Sequence, residues 1–274
     1  MRASSVSTVL AECRAEGRAA LVGYLPVGYP DVAGSLEAMT TMVEAGVDIV
    51  EVGVPYSDPL MDGPIVQHAA ERALAGGSKV SDVFLATRAV HDAGAPALVM
   101  TYWNVVLRRG VDRFADDLAE GGGAGLITPD LIPDEAGEWL AASDARALDR
   151  VFLVAPSSTR ERLMTATSSS RGFVYAASTM GVTGTRDTVD SAAEDLVRRT
   201  RAVSDLPVCV GLGVSNGEQA AAVARFADGV IVGSALVRTL TEADSPEDGL
   251  RRLRALVADL AAGVRAGRDR VGVS

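Results

Sequence analysis

The chain contains a single lysine, Lys79, in 274 residues. Imine chemistry and covalent attachment of pyridoxal phosphate both need a lysine amine of lowered pKa, and Lys79 sits in Gly76-Gly77-Ser78-Lys79, which reads as an exposed turn. That placement argues against both routes. Histidine is almost as scarce, with only His68 and His91, too few for a histidine-based metal site without unusual carboxylate support. Cys13 and Cys209 have neither metal nor redox spacing and cannot build a disulfide framework. Aromatic residues make up 4% of the chain and the net charge is −10, which argues against a nucleic-acid surface. No apolar run reaches membrane-spanning length, and residues 1–18 lack a signal-like apolar core. The expectation is a cytoplasmic protein with no membrane partner, whose chemistry rests on carboxylates and arginines.

What is present is an alternation of strand-like and helix-like runs. Strands are expected over 19–24, 49–52, 97–102, 126–128, 150–154, 173–176, 207–210 and 229–232. Helices are expected over 32–45, 66–75, 80–93, 111–120, 133–142, 159–168, 191–203, 216–225, 234–240 and 247–263. Eight strand-then-helix units in about 250 residues match the count and size of an α/β single-domain (β/α)8 TIM barrel with extra helices. A doubly wound sheet is the alternative, but nothing signals an antiparallel edge strand. One domain over 1–274 is expected, with an N-terminal helix within 1–18 and a frayed tail over 264–274.

The stretch from Asp48 to Pro64 organises the rest. Its first half has period two, so Val50 and Val52 face one way while Ile49, Glu51 and Gly53 face the other. A carboxylate in the middle of an apolar strand is costly unless it is paired or its pKa rises, so Glu51 is either half of a structural ion pair or a functional acid. The strand runs into a Pro-, Gly- and Asp-rich loop carrying a second acid, Asp62. Two carboxyls in different surroundings are a common way to divide acid and base roles. In a barrel, the C-terminal strand ends and the loops after them form the functional face, which is where Glu51 and Asp62 fall.

Three glycine-rich turns follow strands six, seven and eight: Gly181-Val182-Thr183-Gly184, Gly211-Leu212-Gly213 and Gly233-Ser234. Each permits close backbone approach, and the last opens a short helix whose free N–H groups favour an anion. Singly they read equally as turn chemistry; together they point to a phosphorylated ligand held by backbone donors at Gly184, Gly213, Gly233 and Ser234, with Thr183 also in contact. Tyr24, Met100, Tyr102, Ile127, Tyr175 and Leu212 lie at or near strand ends, either as the upper barrel layer or as walls for a flat apolar ligand.

With these residues assembled, the chain resembles the tryptophan synthase α-subunit family from Tyr24 to about Thr241. The most specific motif is Glu51 to Pro64 with Gln67, supported by Thr101-Tyr102-Trp103-Asn104, Tyr175 and the three glycine turns. The resemblance implies retro-aldol cleavage of indole-3-glycerol phosphate to indole and D-glyceraldehyde 3-phosphate. Glu51 is then the general acid/base and Asp62 the ionised acceptor of the indole N–H. It implies no metal or organic cofactor in this subunit, with pyridoxal phosphate only in a partner β subunit, and an α2β2 heterotetramer contacted through Pro55, Asp58 and Asn104. Val105 stands where proline is frequent in the family, Tyr24 and Leu212 where phenylalanine is frequent, and Thr179-Met180 precede Gly181 where an arginine often precedes a small residue. None of these departures removes an acid or a phosphate donor. A stand-alone lyase and a catalytically weak regulatory subunit remain the competing readings.

Overall fold

Runs of Val, Ile, Leu and Ala with helices on both sides favour parallel strands buried on both faces, and that is the arrangement found. A computed structural model describes residues 5–177 and 186–269. The strands are β1 (Ala20–Pro26), β2 (Ile49–Gly53), β3 (Ala97–Met100), β4 (Gly125–Ile127), β5 (Asp149–Val151), β6 (Leu153–Val154), β7 (Val174–Ala177), β8 (Val208–Gly211) and β9 (Gly229–Val232). The helices are α1 (Val6–Ala15), α2 (Val32–Ala45), α3 (Pro64–Ala75), α4 (Val80–Asp92), α5 (Trp103–Arg109), α6 (Val111–Glu120), α7 (Gly137–Ala145), α8 (Arg160–Ser169), α9 (Arg186–Arg201), α10 (Gly217–Ala224), α11 (Ser234–Thr241) and α12 (Pro246–Asp269).

All strand pairs are parallel, in the order β5-β4-β3-β2-β1-β9-β8-β7-β6. The two ends of that order, β5 and β6, are one stretch of chain interrupted at Phe152, so the sheet closes on itself as a barrel. The interruption is local. The Phe152 N–H turns to Ser170 Oγ at 3.4 Å, while its carbonyl accepts the Tyr175 N–H at 3.1 Å and hands the pairing to β7. The nine strands are therefore the eight expected, one of them broken.

Period two along each strand separates two cores. Val50, Val52, Val99 and Val210 point outward into the layer between sheet and helices, which also holds the fully buried Phe114 and Trp139. Each such aliphatic side chain removed from water contributes roughly 1.5–3 kcal/mol. Ala20, Val22, Ile49, Leu98, Ile127, Phe173 and Cys209 point inward, and Val6, Leu10 and Cys13 of α1 plug this inner cluster from the N-terminal strand ends. Asp149 helps to seat the plug by accepting the Val6 N–H; burial lifts its carboxyl to about 6, against the pull of Arg171.

Local signals set most helix boundaries. Asp31 accepts the Gly34 N–H at 2.8 Å to start α2, which ends at Gly46 with φ +118°. Asn216 accepts the Gln219 N–H at 2.9 Å to start α10. Two expectations need correction. A single helix over 133–142 is instead a 3₁₀ turn (Pro133–Glu135) followed by α7. The tail does not fray from 264, because α12 continues to Asp269 and Val264 is 1% exposed in the core. Among the described residues, no helix is long and apolar enough to cross a membrane.

Candidate active site

Glu51 lies on β2 between Val50 and Val52, with Tyr24 opposite it on β1 and Leu98 on β3. The inward phase of β2 aims its carboxyl into the barrel, where the residue is 1% exposed. Its Oε1 is buried with no hydrogen-bond partner, and among the described residues no arginine, lysine or histidine pairs with it. The structural ion pair is thereby ruled out among those residues. Burial alone pushes the carboxyl up to about 8, so Glu51 holds its proton at neutral pH while remaining able to release it.

Above Glu51 opens a cavity of about 660 Å³ at the C-terminal strand ends. Tyr24, Met100 and Tyr175 line its sides, and Leu212 covers one wall. Asp62 enters from the loop after β2, and Gly213, Gly233 and Ser234 line the far side. The phenols of Tyr24 and Tyr175 are held protonated well above their ordinary range, first by burial and then by the nearby carboxyls of Glu51 and Asp62. Both acids and both rings therefore share one space. The loop after β2 reaches across the mouth: a Cβ on Gly63 would lie 3.9 Å from Ser234 Oγ.

Asp62 differs from expectation in its surroundings. The loop folds over the barrel, so Asp62 is partly buried and desolvation raises its carboxyl as well, where a polar-loop setting distinct from that of Glu51 was expected. At the opposite wall, Gly233 precedes α11 without a side-chain cap, leaving the first N–H groups of that helix for a ligand, and Gly213 adopts φ +67°. Ser234 is exposed beside them. Thr183 and Gly184, with Thr179, Met180 and Gly181, lie outside the described residues.

Two further expected wall residues lie next to this lining. Ile127 pairs with Met100 in the β3–β4 register and packs in the inner apolar cluster that also holds Met100 and Tyr175. Tyr102 is buried, and its hydroxyl accepts the N–H groups of Leu60 at 2.7 Å and Met61 at 3.2 Å, both residues of the cavity lining. On the outer surface, Asp58 and Asn104 are exposed and Asn104 Nδ2 donates to Tyr56 Oη at 2.9 Å, whereas Pro55, expected on the same face, is buried beneath it. Lys79 is exposed at the start of α4, as its glycine-rich turn suggested. Sequence reasoning did not single out Leu60 or Met61 as cavity residues, since a loop has no periodicity to reveal its inward side, nor Val66, which reads as an ordinary core position of α3.

A closed parallel barrel with an unpaired acid at its C-terminal mouth and helix N–H groups across from it is the architecture of a barrel enzyme acting on an anionic substrate. The tryptophan synthase alpha chain family model matches residues 10–265. The chain is 65% identical over 263 residues to the tryptophan synthase alpha chain of Mycobacterium marinum, covering 96% of each, and 64% identical over 265 residues to that of Mycobacterium tuberculosis, covering 97% of this chain and 96% of the relative. A solved structure of Mycobacterium tuberculosis tryptophan synthase superposes with a TM-score of 0.89 at 63% identity, covering 96% of this chain and 99% of the other. The chain belongs to the tryptophan synthase alpha chain family, and so takes the role of a lyase subunit in tryptophan biosynthesis with a β-subunit partner.

Proposed function

We propose that this chain cleaves indole-3-glycerol phosphate with Glu51 as the proton-transfer group and Asp62 as its electrostatic complement. Glu51, neutral at pH 7, gives its proton to C3 of the indole ring. The Asp62 carboxylate accepts the indole N–H and stabilises the positive charge that the ring acquires. Glu51, now ionised, takes the proton from the glycerol hydroxyl next to the ring. That hydroxyl carbon becomes the aldehyde carbon of glyceraldehyde 3-phosphate as its bond to C3 breaks, and the bonding pair returns to the ring as indole. Every proton given is recovered, so the step asks for no metal or organic cofactor in this chain; pyridoxal phosphate belongs to the β subunit in this reading.

The phosphate sits against Gly213, Gly233 and Ser234, with Gly184 completing the contact; Thr183 meets the substrate beside it, and the indole lies between Tyr24, Met100, Tyr175 and Leu212. Tyr102 and Ile127 complete that apolar wall. The observation that carries the reading is the buried, unpaired Glu51 carboxyl, raised to about 8, on the wall of a cavity whose other end offers free helix N–H groups. The assembly is α2β2, with Asp58 and Asn104 towards the β subunit. Turnover of indole-3-glycerol phosphate by the chain alone and with added β subunit tests this. Slow release of indole that the β subunit accelerates is expected, fast release alone indicates a stand-alone lyase, and no release in either case indicates a regulatory subunit.

A further inference from the structure

The loop carrying Asp62 is tied down at three points. Tyr102 Oη accepts two successive N–H groups, from Leu60 at 2.7 Å and Met61 at 3.2 Å, immediately before Asp62. Gln67 Nε2 donates to the Asp62 carbonyl at 2.8 Å. Tyr56, at the start of the same loop, lies against the Tyr102 ring with centroids 4.6 Å apart, and its hydroxyl receives Asn104 Nδ2 at 2.9 Å. Tyr102 is 7% exposed, and its backbone is fixed in turn because the next N–H, that of Trp103, donates to the Asp130 carboxylate at 2.9 and 3.1 Å.

A glycine- and proline-rich loop has little to hold a side chain in one place, and a carboxylate acting on a ring N–H has to be held within a fraction of an ångström. We infer that Tyr102 is a positioning residue, which sets Asp62 by gathering the Leu60 and Met61 amides on one hydroxyl. This rests on the role proposed for Asp62. The hydroxyl accepts two N–H bonds at once, so its loss frees two donors in adjacent residues. The ring stack on Tyr56 does not depend on it.

Tyr102→Phe removes the acceptor and keeps the ring. In the full chain with its β subunit, kcat for indole release falls about tenfold with KM changed less than about twofold, and amide exchange at Leu60 and Met61 quickens by a similar factor. An unchanged kcat, a loss confined to KM, or a lower kcat with Leu60 and Met61 protection intact each overturns the inference. Asp62→Asn is assayed alongside. If it keeps the native kcat, the reading of Asp62 itself fails; if it loses activity while Tyr102→Phe keeps it, only the inference about Tyr102 fails.

Discussion

Gly211 leaves the room that the Tyr175 ring fills: a Cβ at position 211 would stand 2.6 Å from the Tyr175 hydroxyl. Gly53 does the same for Tyr24, whose hydroxyl occupies the place its Cβ would take. These two glycines sit at the ends of β8 and β2 because an aromatic wall on a neighbouring strand needs the volume. Gly211→Ala forces Tyr175 into the cavity or off its rotamer, at about 1–3 kcal/mol of strain. The expected outcome is a lower melting temperature and a higher KM for indole-3-glycerol phosphate, measured by thermal unfolding and steady-state kinetics. Native values for both would show that the ring has another place to go.

Glu51 costs the fold stability at neutral pH. Its folded carboxyl titrates at about 8 against an ordinary value of 4.5. Below pH 4.5 the folded and unfolded chains both keep the proton. As pH rises from there towards 8, the unfolded chain releases it and the folded chain does not, so stability falls across that window and levels off above it. Glu51→Gln has no proton to lose. Its melting temperature relative to the native chain should climb between pH 5 and pH 8, corresponding to a few kcal/mol at the upper end. A difference that stays constant with pH would contradict the burial argument.

Asp62→Asn keeps size and removes charge. Loss of electrostatic stabilisation of about 3 kcal/mol corresponds to a fall of roughly 150-fold in kcat. Glycerol phosphate, which lacks the indole, should bind the variant as it binds the native chain. Titration calorimetry and turnover together check this, and a loss of glycerol phosphate binding would mean that the substitution had disturbed the anion end.

Asp58 and Asn104 share an exposed face beside the loop that holds Asp62. Asp58→Arg reverses a charge there without touching the cavity. The β subunit should then bind about tenfold more weakly, and its acceleration of indole release should need correspondingly more of it, while the chain alone works at its native rate. Unaltered association would place the partner on another face.

The barrel was legible because its signals are local. Alternation along Ile49-Val50-Glu51-Val52 placed Glu51 on the inner face, and the caps at Asp31 and Asn216 lie within three residues of the N–H groups they satisfy. What stayed hidden depends on residues far apart in the chain. Helix α5 was not anticipated because its capping group, Asp130, comes from the loop after β4. The bond between the Tyr102 hydroxyl and the Leu60 and Met61 amides was not legible, because those amides lie some forty residues earlier in the chain. The loop's Pro, Gly and Asp content gives no sign that Asp62 is desolvated, which depends on the loop folding over the barrel.

The most direct measurement is single-turnover indole formation by Glu51→Gln, read beside its affinity for glycerol phosphate. Indole should drop below detection with and without the β subunit while glycerol phosphate binds at native strength, because the carboxamide fills the same space and cannot carry the proton. Indole released at the native rate by that variant would contradict the account, since the proton would then be travelling through some other group.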